Sequence, residues 1–379
     1  MGRVFLERIE KEPTDFLLFL ILILLVGLGV SVLFSASYYY AEKLTQDSYY
    51  FFRRQIVFII LGSIAAIIAA NTPLELWKQA TPYFLLLSLL LTLLTFIPGV
   101  GLPVLGARRW LFVFGISFQP SELVKFCLVL YLATLFSKKE ERINDPLNSI
   151  LPPLIVVSFF VTLIYLQNDF STAFFILFIA ITMFFIARIK LRYFFFLGFI
   201  VLPLGVVLLF SKAHRVKRII AFLNPALDPS GSGFQVIAAR SALINGGFWG
   251  RGLGSGIKKL GGLPEAHSDF IYAVIGEEMG FLGALFVLFL FILFAWRGYS
   301  ISLKAGDNFI YYLSFGITSL IFVQSLMNIA VVTGLIPATG IPLPFFSSGG
   351  SAIVLNLFMS GLLLNLSRST QAARRNRLV

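Results

Sequence analysis

Charge is scarce in this sequence. Only 13% of its 379 residues are charged, against roughly 25% in an ordinary soluble domain. With 58% hydrophobic residues and a mean hydropathy of +0.91, that scarcity excludes a soluble globular protein. Cysteine is reduced to one residue, Cys127, inside an apolar run, so no intramolecular disulfide can form and thiols do not report a compartment. The two histidines, His214 and His267, are too few for a histidine-rich metal site. Acid is the scarcer sign, 18 Asp and Glu against 30 Lys and Arg.

What fills the chain is a series of apolar runs of about 20 residues, the length that crosses a hydrocarbon core about 30 Å thick. They predict an all-α polytopic membrane protein of about ten transmembrane helices, at 16–38, 55–71, 82–99, 121–137, 150–166, 172–188, 193–211, 269–296, 309–336 and 350–367. One large extracytoplasmic loop, 212–268, precedes the eighth, and the whole chain, 1–379, reads as a single integral membrane domain. The run from Phe16 is too long for a signal-peptide core and is read as a retained first span. The fifth and sixth runs are joined by QNDFS and form a tight helical hairpin.

Basic residues of short loops accumulate on the cytoplasmic side. With the N-terminus inside, sixteen Lys and Arg fall in inside segments, among them Arg3, Arg8, Lys11, Arg142 and Arg377, and only five in the short outside loops. Both termini are therefore expected in the cytoplasm, with 368–379 as a basic cytoplasmic tail. The long outside loop carries eight further cations, Arg215, Arg218, Lys258 and Lys259 among them, and only two acids, Asp228 and Glu265. Such a loop attracts anionic headgroups or an anionic substrate, or is simply kept soluble by its charge.

Ionisable groups at membrane depth are costly, so each is a functional candidate. In QPSELVKF, Glu122 and Lys125 share a helix face at i and i+3; they form either a self-neutralising ion pair or part of a polar cavity in which Glu122 holds a cation and Lys125 meets a phosphate. Asp169, at the hairpin tip, is an N-cap or a site residue. Glu277 and Glu278 are adjacent and cannot share one helix face, so at least one is expected to hydrogen-bond to neighbouring helices in a structural role. Asp269, in LGGLPEAHSDF, is a helix-terminal cap or first-turn anion, or a general base at an aqueous, basic membrane edge beside Glu265 and His267.

The motifs GARRW (106–110), FQPSELVKF (118–126), QNDFSTA, LNP and GSGFQ (223–235), the stretch 247–283 and MNIAVVTGLIPATGIPLPFFSSGGS (327–351) resemble, in order, those of the SEDS family of shape, elongation, division and sporulation proteins. The PEAHSD run is more similar to the family's division branch than to its elongation branch. The resemblance implies a peptidoglycan glycosyltransferase that polymerises lipid II outside the cytoplasmic membrane, working with a class B penicillin-binding transpeptidase and other division proteins. It carries the catalytic aspartate onto Asp269, the important Glu and Lys onto Glu122 and Lys125, an arginine onto Arg109 and a cavity aspartate onto Asp169. Expected binders of the substrate or its diphosphate are Arg109, Lys125, Lys258, Lys259, Glu265 and His267, with Glu122 and Asp169 as cavity residues or holders of a divalent cation, Mg or Mn. Membrane lipids are expected partners and nucleic acid is not. QNDFSTA lacks the family's usual Pro and Gly, and Ser348 and Ala238 stand where Tyr and Gln are common, which puts local substrate contacts in doubt. An elongation polymerase, a lipid II flippase and a non-catalytic division scaffold are the alternatives.

Overall fold

The computed structural model describes residues 14–376 apart from 105–106, 114–115, 144, 228–230 and 261. Arg3, Arg8, Lys11, Asp228 and Arg377 lie outside the described residues. The chain forms α1 (Phe16–Thr45), α2 (Tyr50–Asn71), α3 (Leu74–Leu94), then β1 (Gly101–Val104), β2 (Ala107–Val113) and β3 (Ile116–Phe118). There follow α4 (Pro120–Lys138), α5 (Leu151–Leu166), α6 (Phe170–Ile186), α7 (Leu191–Phe210), α8 (Ala213–Leu223) and α9 (Ser232–Gly246). The last three helices are α10 (Ile271–Leu303), α11 (Asn308–Val332) and α12 (Gly350–Asn376).

Among the described residues nine helices are long and apolar enough to cross a membrane. The remaining expected span, the sixth, is α6, which has 17 residues and at 1.5 Å per residue is about 26 Å long, a little short of the hydrocarbon core. Its partner in the hairpin, α5, is extended at its start by a π turn over Pro146–Ile150. The ten-helix bundle expected from hydropathy is thus present, and the chain is a multi-pass membrane protein. Within it α4 is buried along nearly its whole length, whereas α7 contributes no buried residue.

Apolar side chains gain nothing by leaving lipid for one another, so close packing of small residues joins the helices. A Cβ on Gly361 of α12 would stand 2.2 Å from the Ala66 carbonyl of α2, and one on Gly298 of α10 would stand 2.1 Å from Thr318 Oγ1 of α11. At one end of the bundle Asp15 caps α1, accepting from Leu18 N at 3.0 Å, and pairs with Arg297. At that same end Asp15 N donates to Ser367 Oγ, and Asn365 Nδ2 donates to the Ala69 and Thr72 carbonyls. Both ends of the described chain therefore lie on one side.

The opposite end departs from a purely helical reading. Residues 101–118 form a three-stranded antiparallel meander, with Leu102 paired to Trp110 and Phe112 to Ser117. These strands are of four, seven and three residues, too short and too glycine-interrupted to stand out in a hydropathy reading. The expected loop at 212–268 is also partly helical. In α8, AHRVKRIIAFL, cations alternate with apolar residues at helical spacing, the pattern of a helix lying at a membrane surface. α9 packs on α10 so closely that a Cβ on Gly246 would stand 1.9 Å from the Gly276 carbonyl.

α3 begins and ends earlier than the expected span 82–99, and Pro82 sits inside it. The turn before it is secured by the Glu75–Lys78 ion pair at 3.1 Å and by Thr81 Oγ1 donating to the Trp77 carbonyl. α10 is interrupted at Gly280, whose φ of 68° and ψ of −168° are not helical. The freed backbone groups are taken up by the loop after α9: Arg251 N and Gly252 N donate to the Glu277 and Glu278 carbonyls, and Phe281 N donates to the Gly247 carbonyl.

Candidate functional site

Asp269 lies just before α10, at the sheet-bearing end of the bundle. The first helical turn makes no use of it, because the residue at the cap position is Phe270 and no side chain caps this helix. The Asp269 backbone is held instead. Asn328 Nδ2 of α11 donates to its carbonyl at 2.8 Å and to that of Ile341 at 2.9 Å, Ser347 Oγ donates to the Ser268 carbonyl at 2.7 Å, and Ser348 N donates to the His267 carbonyl at 2.9 Å. The segment between α11 and α12 therefore clasps the turn carrying Asp269. A Cβ on Gly340, at φ 75°, would lie 3.3 Å from Asp269 Oδ2, so glycine there lets the backbone approach the carboxylate.

Half-buried Asp269 accepts from Ser268 Oγ at 3.1 Å. Burial lifts its carboxyl above the usual range; the Ser268 bond and the charges of Arg109 and Arg218 pull it down in part, and Asp169 pushes it up. These long-range influences define the cluster. Glu265, exposed and in a left-handed turn conformation at φ 55°, is also lifted, by desolvation first and then by the Asp269 charge, against the pull of Arg109.

Arg109 comes from β2, whose Leu111 is buried and anchors the strand. Its Nη1 donates to Asp169 Oδ2 at 3.3 Å, while its Nε is buried without a partner. Asp169 takes the cap, one of its two expected readings: Oδ1 caps α6, accepting from Thr172 N at 3.2 Å, and Oδ2 accepts from Arg109 and from Gln119 Nε2 at 3.3 Å. Arg218 reaches the cluster from α8, its Nη1 donating to the Ala338 carbonyl at 3.4 Å. In the sequence Arg218 stands only as one of the loop cations; its helical spacing from Arg215 is the signal there for it.

Other expected site residues are placed differently. Glu122 and Lys125 are both buried and pair at 2.7 Å, and Lys125 also donates to Gln324 Oε1 at 2.7 Å. This is the self-neutralising arrangement, not a carboxylate open to a cation. Among the described residues no three His, Cys, Asp or Glu side chains assemble as metal ligands, and the Glu122 carboxylate expected to hold Mg or Mn is taken up by Lys125. Lys259 is likewise withdrawn from the expected diphosphate contact: it pairs with buried Glu278 at 2.6 Å and bonds Ser35 Oγ and the Gly254 carbonyl. Lys258 contributes its backbone N–H to Glu277. Glu277 and Glu278 thus hold the loop against the α10 break.

His267 lies among aromatic rings. It is buried and stacks on Tyr40 at 4.6 Å and against Phe51 at 4.8 Å. Burial pushes its imidazole down to about 4, so at neutral pH it carries no charge for a diphosphate and serves to dock the turn on α1 and α2.

The family described as "Cell cycle protein", that of FtsW, RodA and SpoVE, matches residues 15–372. The chain is 39% identical over 363 residues, 96% of its length and 99% of the relative's, to "Probable peptidoglycan glycosyltransferase FtsW" of Geobacter sp. (strain M18). It is 40% identical over 359 residues, 95% of its length and 98% of the relative's, to "Stage V sporulation protein E" of Bacillus subtilis (strain 168). Among solved structures it resembles one described as "Structural coordination of polymerization and crosslinking by a peptidoglycan synthase complex", with a TM-score of 0.76, 29% identity, and coverage of 94% of this chain and 98% of that one.

Proposed function

Because the chain belongs to the FtsW/RodA/SpoVE family, the SEDS family that its motifs resemble, we propose that it is a peptidoglycan glycosyltransferase polymerising lipid II for septal wall synthesis, with Asp269 as its general base. Relatives named as such glycosyltransferases over nearly the full length support the activity. The base assignment rests on one observation: Asp269 is a desolvated carboxylate that neither caps α10 nor pairs directly with a cation, while two arginines flank it.

In the reaction an acceptor sugar hydroxyl attacks the anomeric carbon of a lipid-linked donor. The new C–O bond forms as the bond to the diphosphate breaks with its electron pair, and the hydroxyl proton passes to the Asp269 carboxylate. A single displacement inverts the anomeric centre. Arg109 and Arg218 supply positive charge where the diphosphate leaves. The site faces the outer surface of the cytoplasmic membrane and both termini face the cytoplasm, a reading supported by the basic bias of the opposite loops. A class B penicillin-binding transpeptidase is the proposed partner, in keeping with the resemblance to a component of a synthase complex.

The test is Asp269→Asn in purified protein given lipid II, alone and with the transpeptidase. Loss of about 10²–10⁴-fold in polymer formation is expected with a melting temperature no lower than that of wild type. Polymerisation by folded Asp269→Asn at the wild-type rate would remove Asp269 as the base.

A further inference from the structure

Arg215, at the start of α8, is a buried cation whose bonding is half finished. It is 5% exposed, and its guanidinium lies over the Tyr165 ring at 4.7 Å and the Phe170 ring at 5.0 Å. All of its side-chain hydrogen bonds run through Nη1, to the Leu208 carbonyl at 2.6 Å, Tyr165 Oη at 3.2 Å and Ser211 Oγ at 3.5 Å. Among the described residues Nε and Nη2 are buried without a partner, and no carboxylate pairs with Arg215.

The two unsatisfied nitrogens belong to one edge of the guanidinium. That edge is the fork that meets two oxygens of a phosphate or carboxylate side by side. Buried N–H groups are rarely left unpaired, and ring faces attract the cation without satisfying its donors. The location gives the anion an identity. Tyr165 and Phe170 bracket Asp169, which holds Arg109. Arg218, one turn along the same face of α8, lies within electrostatic range of Asp169 and Asp269.

We propose that Arg215 binds a phosphate of a lipid-linked diphosphate through its Nε–Nη2 edge, so that α8 fixes the diphosphate with one arginine and lends charge near the reacting carboxylate with the next. The proposal deepens the glycosyltransferase reading and rests on it, since that chemistry brings a lipid diphosphate to this surface.

Binding to the full chain in nanodiscs, measured without turnover, tests the two separately. The probes are a polyprenyl diphosphate, the matching polyprenol and inorganic pyrophosphate, with zwitterionic or phosphatidylglycerol-rich lipid around the protein. Arg215→Gln and Arg215→Lys should each weaken polyprenyl diphosphate binding by about tenfold or more, leave polyprenol binding unchanged, and raise KM for lipid II more than they lower kcat. Binding equal to wild type in both variants, whatever their melting temperatures, overturns the proposal and reduces Arg215 to a packing residue. Equal affinity for pyrophosphate overturns its lipid-linked character, and displacement by phosphatidylglycerol reassigns the site to a headgroup. Wild type that binds the diphosphate yet makes no polymer sinks the glycosyltransferase reading and leaves the phosphate site standing.

Discussion

Asp269 acts as a base only when ionised, and its environment makes ionisation harder. Burial holds its carboxyl above the ordinary value of about 3.9, so the acidic limb of the kcat/KM profile is expected at higher pH than an exposed aspartate would give. Arg109→Gln removes a charge that lowers that pKa, and the limb should move to still higher pH; a limb that stays or moves down would separate Arg109 from the base. The stability consequence has the opposite sense. A raised folded pKa stabilises fully below the unfolded value and loses that contribution as pH rises through the folded one. At neutral pH the charged carboxylate is therefore a cost, and Asp269→Asn should melt no lower than wild type, and higher if the amide keeps the Ser268 contact. Glu122 behaves differently, because its ion pair with Lys125 is complete. Glu122→Ala leaves a buried ammonium with only Gln324, and should destabilise by on the order of 3–5 kcal/mol, part of which Glu122→Ala with Lys125→Met recovers in chemical denaturation.

Among the elements, α10 shows what could and could not be foreseen. Its apolar length was legible from hydropathy, and the incompatible faces of Glu277 and Glu278 pointed to bonding with other elements. The break at Gly280 was not legible, since IGEEMGFLG reads equally well as unbroken helix, and the partners of the break, Gly247 to Gly252, arrive from a separate turn. Lys259 was misread for the same reason: its partner Glu278 is 19 residues away, and only the folded loop brings them together. Asp169 and Asp269 stand out in the sequence because their motifs are local, whereas the choice among cap, first-turn anion and base at Asp269 needed the backbone geometry, which shows no side-chain cap. Gly280 therefore carries an element-scale prediction. A Cβ there would stand 2.3 Å from Gly250 N at a φ of 68°, so Gly280→Ala combines backbone strain of about 1–3 kcal/mol with a backbone clash. It should lower the melting temperature and polymerisation together. A variant that melts like wild type would show that α10 straightens at little cost.

At the scale of the whole molecule the helices sort polar chemistry to opposite ends. Asp269, Arg109, Asp169 and the α8 arginines gather where the chain makes its sheet and its longest excursion, while Asp15, Arg297 and the α12 contacts close the other end. A flippase would need polar groups along the full depth, but the charged groups within the spans concentrate toward the site end, at Glu122, Lys125, Glu277 and Glu278, and these are paired or bonded. This asymmetry gives the membrane orientation its own test. Cys127 is the lone cysteine and is buried, so an added surface cysteine can be labelled against a low background. Lys43 and Glu141 are exposed at opposite ends of the bundle. Lys43→Cys should react with a membrane-impermeant maleimide in intact cells, and Glu141→Cys only after permeabilisation. The reverse pattern would put the Asp269 site on the cytoplasmic face, where a polymerase building wall outside the membrane has no use for it.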